Sequence, residues 1–137
     1  MRSAAILLIV LAVGWLALSG FVMVALSGFI TDPAAQQEQA ATYVLVALAA
    51  LFTAVASYWA RPARWVIVAA SIAWLSGVVA APYVFGRDEF GRLDVRGPLG
   101  ILLDGGLPAI LAPGMLAAVL AALLLEVDAR RGTLIRR

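Results

Sequence analysis

Four stretches of this chain, residues 3–31, 39–60, 65–86 and 105–125, carry no charged side chain. A helix crosses the roughly 30 Å hydrocarbon layer of a membrane in about 20 mostly apolar residues, so each stretch is long enough to span. The whole 137-residue chain is 64% hydrophobic and 13% charged. A soluble domain is about 45–50% apolar and about 25% charged, and would have nowhere to put this much apolar surface. The fold class that follows is an all-α membrane protein. One domain over 1–137 forms an antiparallel bundle of four transmembrane helices.

Local signals set the boundaries. The first helix reads as 3–30, longer than a bilayer requires and therefore tilted or projecting. Arg2 before an apolar run, with Ala17 and Ser19 spaced like a cleavage site, resembles a signal peptide. The run continues well past that point, so an uncleaved span is expected. Asp32-Pro33 is a helix start, because Asp can cap free N–H groups and Pro has none to lose. The second helix reads as 33–60, its first turns polar, and pairs with the first through a very short link. Arg61-Pro62 repeats the device for a third helix over 62–81, where Pro82 kinks or ends it. The fourth reads as 107–130, with Pro108 and Pro113 both suited to its first turn. Residues 127–137 form a tail that stays helical until Gly132.

Arginine placement orients the bundle, because cytoplasmic segments collect basic residues. All ten basic residues are Arg. One end holds Arg2, Arg61, Arg64, Arg130, Arg131, Arg136 and Arg137 with Glu126 and Asp128, a net +5. The other holds Arg87, Arg92 and Arg96 against six acids, a net −3. Both termini are therefore expected on the cytoplasmic side, with a roughly 20-residue external loop over 86–106. Tyr58, Trp59 and Trp65 would form an inner aromatic belt, with Tyr83 near the outer one. An all-arginine set with heavy use of Ala, Leu, Val and Gly reads as a GC-rich bacterial gene, which places the protein in the bacterial inner membrane.

Helices in lipid associate by close packing of small residues. The third helix offers Ala69, Ala73, Gly77 and Ala81, and the fourth Gly114, Ala118 and Ala122. These stripes are expected to bring the third helix against the fourth or the second. Ala47, Ala50, Ala54 and Ser57 line one face of the second helix. The first helix repeats Ala-Leu-Ser-Gly-Phe at 17–21 and 25–29. The eight-residue offset turns the copies roughly 80° apart, which suggests drift in a simple sequence. Trp15 and Trp74 fall near mid-span, where each indole N–H needs an acceptor; Ser57, Ser71 and Ser76 are the hydroxyls available.

The search for chemistry returns little. Without Cys or His the chain offers no disulfide, thiolate metal site or His-ligated haem, and no cofactor is expected. No ionisable group lies within a span, which disfavours proton-coupled antiport and voltage sensing. The arginines form no dense patch beside stacking aromatics, so nucleic acid is not expected as a partner. No nucleophile–base pair, paired carboxylates or phosphate-cradling loop is present, so no catalytic site is expected.

Polarity concentrates in 86–106. There Arg87, Arg92, Arg96 and Asp104 are the candidate partner-docking residues, and the alternating charges suggest an ordered loop with local ion pairs. Phe85-Gly86-Arg87 and Phe90-Gly91-Arg92 suggest a hairpin. Residues 98–103 are apolar enough to lie on the membrane or dip into it. Asp104 suits either an N-cap for the last helix or a gating or docking role at the outer mouth.

These features together suggest a small accessory or assembly subunit of a larger membrane complex, respiratory or transport. Its partners would be other membrane subunits and lipids. A homo-oligomeric transporter or channel is the alternative, and a lysis-type or lipid-handling protein a weaker third. Cysteines introduced at Asp94 and Thr133 should react with an impermeant maleimide from opposite sides of intact cells. Labelling from one side alone contradicts the four-pass topology.

Overall fold

The computed structural model describes residues 1–104 and 106–134. Gly105, Arg136 and Arg137 lie outside the described residues. The chain is all-helical, with 84% of it in helices and no strand among the described residues. In chain order the helices are α1 (Arg2–Ser27), α2 (Pro33–Trp59), α3 (Arg61–Phe85), the short α4 (Pro98–Leu103) and α5 (Gly106–Leu134). Four of them, α1, α2, α3 and α5, are long and apolar enough to cross a membrane.

The helix ends follow from local chemistry. Asp32 Oδ1 accepts the Ala34 N–H at 3.2 Å, with Pro33 in the first position of α2. A single residue, Ala60, separates α2 from α3. Arg64 folds back over the end of α2, its Nε donating to Ser57 O at 2.8 Å and an Nη to Tyr58 O at 3.3 Å. This places a cation on carbonyls that have no helical donor.

Pro82 does not end α3, which runs to Phe85. Proline removes one N–H and here does so in the final turn, where little helix remains to disrupt. Gly86, at φ +74°, provides the stop, and its N–H bonds to Pro82 O. Gly132 likewise does not stop α5, which continues to Leu134.

The core is organised around α1. Its buried positions Ala5, Ile9, Ala12, Leu16, Ser19 and Met23 alternate steps of four and three. That spacing keeps one seam of α1 facing its neighbours. At the centre Ala12, Ala54, Ile67, Ala118 and Ala122 meet, one or two residues from each long helix. Small side chains let four backbones approach, and many weak dispersion contacts accumulate where lipid supplies no hydrophobic drive.

α3 does pack against α2 and α5 as expected, with Ala118 and Ala122 meeting Ile67, but not through the small-residue stripe of α3. Gly114, Ala118 and Ala122 are all buried, but Gly114 faces α1. A Cβ there would stand 2.9 Å from Leu16 Cγ and 3.0 Å from Trp15 Cδ1. On α3, Ala69 and Ala73 are exposed, Gly77 is half-buried against Leu103 of α4, and Ala81 is buried. The face that α3 turns inward carries Ile67 and Ser71, with Trp74 half-buried beside them. Ala69 and Ala73 lie on the far side of the same turns. α3 is accordingly the peripheral helix: 17% of its most apolar window is buried, against 39% for α5.

The repeat in α1 also gains distinct roles. Gly20 admits α2, since a Cβ there would meet Ala47 Cβ at 3.0 Å, and Gly28 closes the helix. Ser19 and Ser27 are both buried, because α1 packs against two neighbours and its covered stripe is wide.

Gly114→Ala should therefore force α1 and α5 apart and lower stability by about 1–3 kcal/mol, the usual range for overpacking. Gly14→Ala, with nothing within 4 Å of the new methyl, should not. Thermal unfolding of the two variants in one detergent checks this difference.

Candidate functional site

The polar end of the bundle is built by residues 86–104 folding over α2. Asp88 organises the first half. Its Oδ1 accepts the N–H groups of Phe90 at 2.9 Å and Arg92 at 2.8 Å, and its own N–H donates to Arg92 O at 2.8 Å. Arg87 pairs with Leu93 in an antiparallel bridge, and an Arg87 Nη donates to Gly91 O at 2.9 Å. Gly86, Gly91 and Gly97 supply three positive-φ positions, at +74°, +74° and +83°. Order here comes from side-chain-to-backbone hydrogen bonds of the Asx type. Within 86–97 the expected local ion pairs do not form among the described residues. The charges are spent on, or turned away from, the turn itself.

The second half departs from an external loop. From Pro98 the chain turns into α4, which packs among α2, α3 and α5. Leu102 reaches the level of Val46 and Ala50, midway along α2, and of Trp74, near the middle of α3. Gly100 makes the entry possible, because a Cβ would lie 2.2 Å from Val95 O. α4 and α5 thus form one interrupted element, α4 ending at Leu103.

An interrupted helix leaves carbonyls without N–H donors. Trp74 Nε1 donates to Leu102 O at 2.8 Å. Pro113, inside α5, has no N–H for the Ala109 carbonyl, and the next carbonyl along, Ile110 O, faces α1. There Trp15 Nε1 donates to Ile110 O at 2.7 Å, and Ser19 Oγ reaches the same oxygen at 3.5 Å. Both indoles therefore use backbone acceptors and not the serines expected from sequence. Ser57 Oγ bonds Ala54 O at 2.6 Å, and Ser76 is exposed. Ser71 Oγ is buried with no hydrogen-bond partner among the described residues.

Above the break lies a cavity of about 660 Å³, walled by the first turns of α2 and the 88–97 segment and floored by Gly100 and Ile101. Glu38, Asp88 and Asp104 line it opposite Arg92, with the Gln39–Tyr43 hydrogen bond at the side. Of the candidate docking residues, Arg92 and Asp104 share this cavity. Arg87 and Arg96 do not line it, and Arg96 is exposed. Three carboxylates to one guanidinium favour a cationic or mixed-charge surface contact. Among the described residues no three acidic, His or Cys side chains converge to hold a metal ion. Below α4 the alanine-lined centre of the bundle closes.

The opposite end carries a cluster that sequence reading dispersed along the tail. Glu126 is 5% exposed. It accepts from Arg61 Nε at 3.0–3.1 Å, from an Arg61 Nη, and from Arg130 Nε at 3.2 Å. Arg64 stands 3.7 Å away, and Arg2 pairs with Asp128 at 3.2 Å. The i,i+4 spacing of Glu126 and Arg130 was one available signal. The collection of Arg61 and Arg64 at the same end was the other.

Comparison with known proteins adds no assignment: no family model, curated protein or solved structure matches the chain. What fold and site define is a class, a bundle of four span-length helices whose last element is interrupted beneath a polar cavity.

Trp74→Phe should lower stability by about 1 kcal/mol, the usual net value of one hydrogen bond. Hydrogen exchange should rise at 99–104 and remain unchanged in α1. Uniform exchange across the bundle contradicts the role given to Trp74.

Proposed function

We propose that this protein is a non-catalytic subunit of a larger membrane assembly, respiratory or transport, and that it docks through its polar cap. In this reading both termini face the cytoplasm of a bacterium and residues 86–97 stand outside, a placement the arginine distribution supports. The observation that carries the proposal is the hydrogen-bonded order of the cap. Asp88 fixes the turn, and Trp74 anchors the α4 segment that follows it. Phe90, 85% exposed, lies in this turn between Arg87 and Arg92 in the chain, with Arg96 exposed a few residues on. A preorganised aromatic flanked by arginines is the composition enriched at protein interfaces. Holding it in place removes the ordering cost that a mobile loop would meet on binding. The packed alanine centre supports the same reading, since it leaves no polar route through one copy.

A second reading has its own observation. The interruption between α4 and α5 beneath a charged cavity resembles the discontinuous helices that line transporter sites. It favours a homo-oligomer whose pathway forms between copies.

Extraction in mild detergent followed by native mass analysis separates the two. The subunit reading expects different chains to co-purify, and Arg92→Glu with Arg96→Glu to release them while membrane insertion persists. A closed ring of identical chains favours the transporter. A monomer under every extraction condition overturns both.

A further inference from the structure

The arginine end holds more positive charge than its own carboxylates balance. Glu126 is a single buried acid, and Arg61, Arg64 and Arg130 all converge on it. Asp128 is engaged by Arg2. Arg64 is 12% exposed in its side chain and spends two further donors on α2 carbonyls, so its part is structural. Arg61 and Arg130 differ. Their side chains are 62% and 64% exposed, yet both donate to the same oxygen, Glu126 Oε1. A buried carboxylate thus pins two accessible guanidinium groups side by side.

Each guanidinium carries five N–H donors in a rigid fork. Arg130 uses its Nε on Glu126 and Arg61 its Nε and one Nη, so the outward-facing N–H groups of both remain for a shared acceptor. Two guanidinium groups gathered on one carboxylate oxygen suit a tetrahedral anion that both can contact. Trp59 and Trp65, both exposed, flank Arg61 in the chain at the level where aromatic side chains meet lipid headgroups. We propose that Arg61 and Arg130, held together by Glu126, form a binding site for the phosphate of an anionic phospholipid. Diffuse attraction of the tail arginines to a charged surface would need no such geometry. The site depends on two particular side chains, and it stands independently of the subunit reading.

The test uses the full chain in detergent, titrated with phosphatidylglycerol or phosphatidylcholine and read by native mass spectrometry. Retention of phosphatidylglycerol should exceed that of phosphatidylcholine by about tenfold, the scale expected for two arginines at a lipid phosphate. Arg61→Gln with Arg130→Gln should abolish the preference, and Arg136→Gln with Arg137→Gln should keep it. Arg61→Lys with Arg130→Lys, which preserves charge without the forked donors, should weaken it; helix content by circular dichroism confirms folding of each variant. Equal retention of the two lipids overturns the site. So does an unchanged preference in either the glutamine or the lysine double variant, or loss of preference in the tail variant. Displacement of the lipid by excess inorganic phosphate assigns the pair to a free anion and overturns the lipid assignment.

Discussion

A helix broken inside a packed bundle exposes carbonyls that cannot turn to water, and the cost of leaving them unpaired is several kcal/mol each in an apolar medium. This protein ends α4 at Leu103 ahead of α5, and Pro113 removes one further N–H within α5. Two indole N–H groups meet backbone carbonyls in this region, and the first of them lies at the break. Trp74 of α3 takes the Leu102 carbonyl, and Trp15 of α1 takes Ile110. Indole suits the task because it couples one N–H to a large apolar body, so the donor arrives without a charge or a second unsatisfied atom. The Trp74 contact ties α4, and with it the floor of the polar cavity, to α3, and the Trp15 contact ties α5 to α1.

The rest of the architecture distributes load around that break. α1 presents a heptad-like seam to α2 and α5, and Gly20 and Gly114 set how closely they approach. α3 is held chiefly at its ends and its middle. Arg61 and Arg64 tie it to Glu126 at one end, and Trp74 and Gly77 meet α4 halfway. Its Ala69–Ala73 face remains open. The two polar ends then have different characters. One is a hydrogen-bonded cap over a mixed-charge cavity, and the other is a cationic cluster around one buried acid.

Much of this was legible in the sequence. Four uncharged runs give four span-length helices, and Asp32-Pro33 caps α2 as its chemistry requires. The small-residue stripe on α5 does lie at an interface. It meets Ile67 of α3 through Ala118 and Ala122, but its approach to α1 at Gly114 was not legible, because spacing along one helix defines a face and does not name every neighbour. α4 was hidden for a related reason. A six-residue apolar segment lacks the periodicity that would distinguish an inserted helix from a surface one. The cation cluster escaped because Arg61 and Glu126 are far apart in sequence, and only folding shows that one acid serves three arginines. The indole acceptors were missed because the search considered hydroxyls. A broken helix offers carbonyls instead, and the break itself was unseen. Within the polar segment, Arg92 and Asp104 share a cavity whereas Arg87 and Arg96 do not. Charge pattern alone could not separate them.

The account rests on α4 lying against the middle of α3. The chain contains no cysteine, so a Gly77→Cys/Leu103→Cys pair can be placed on an otherwise silent background at positions now in contact. Mild oxidation in native membranes should close an intramolecular disulfide between them. Failure to close, with Leu103→Cys reacting instead with an aqueous thiol reagent as readily as Phe90→Cys does, would show that α4 lies outside the bundle and contradict the account.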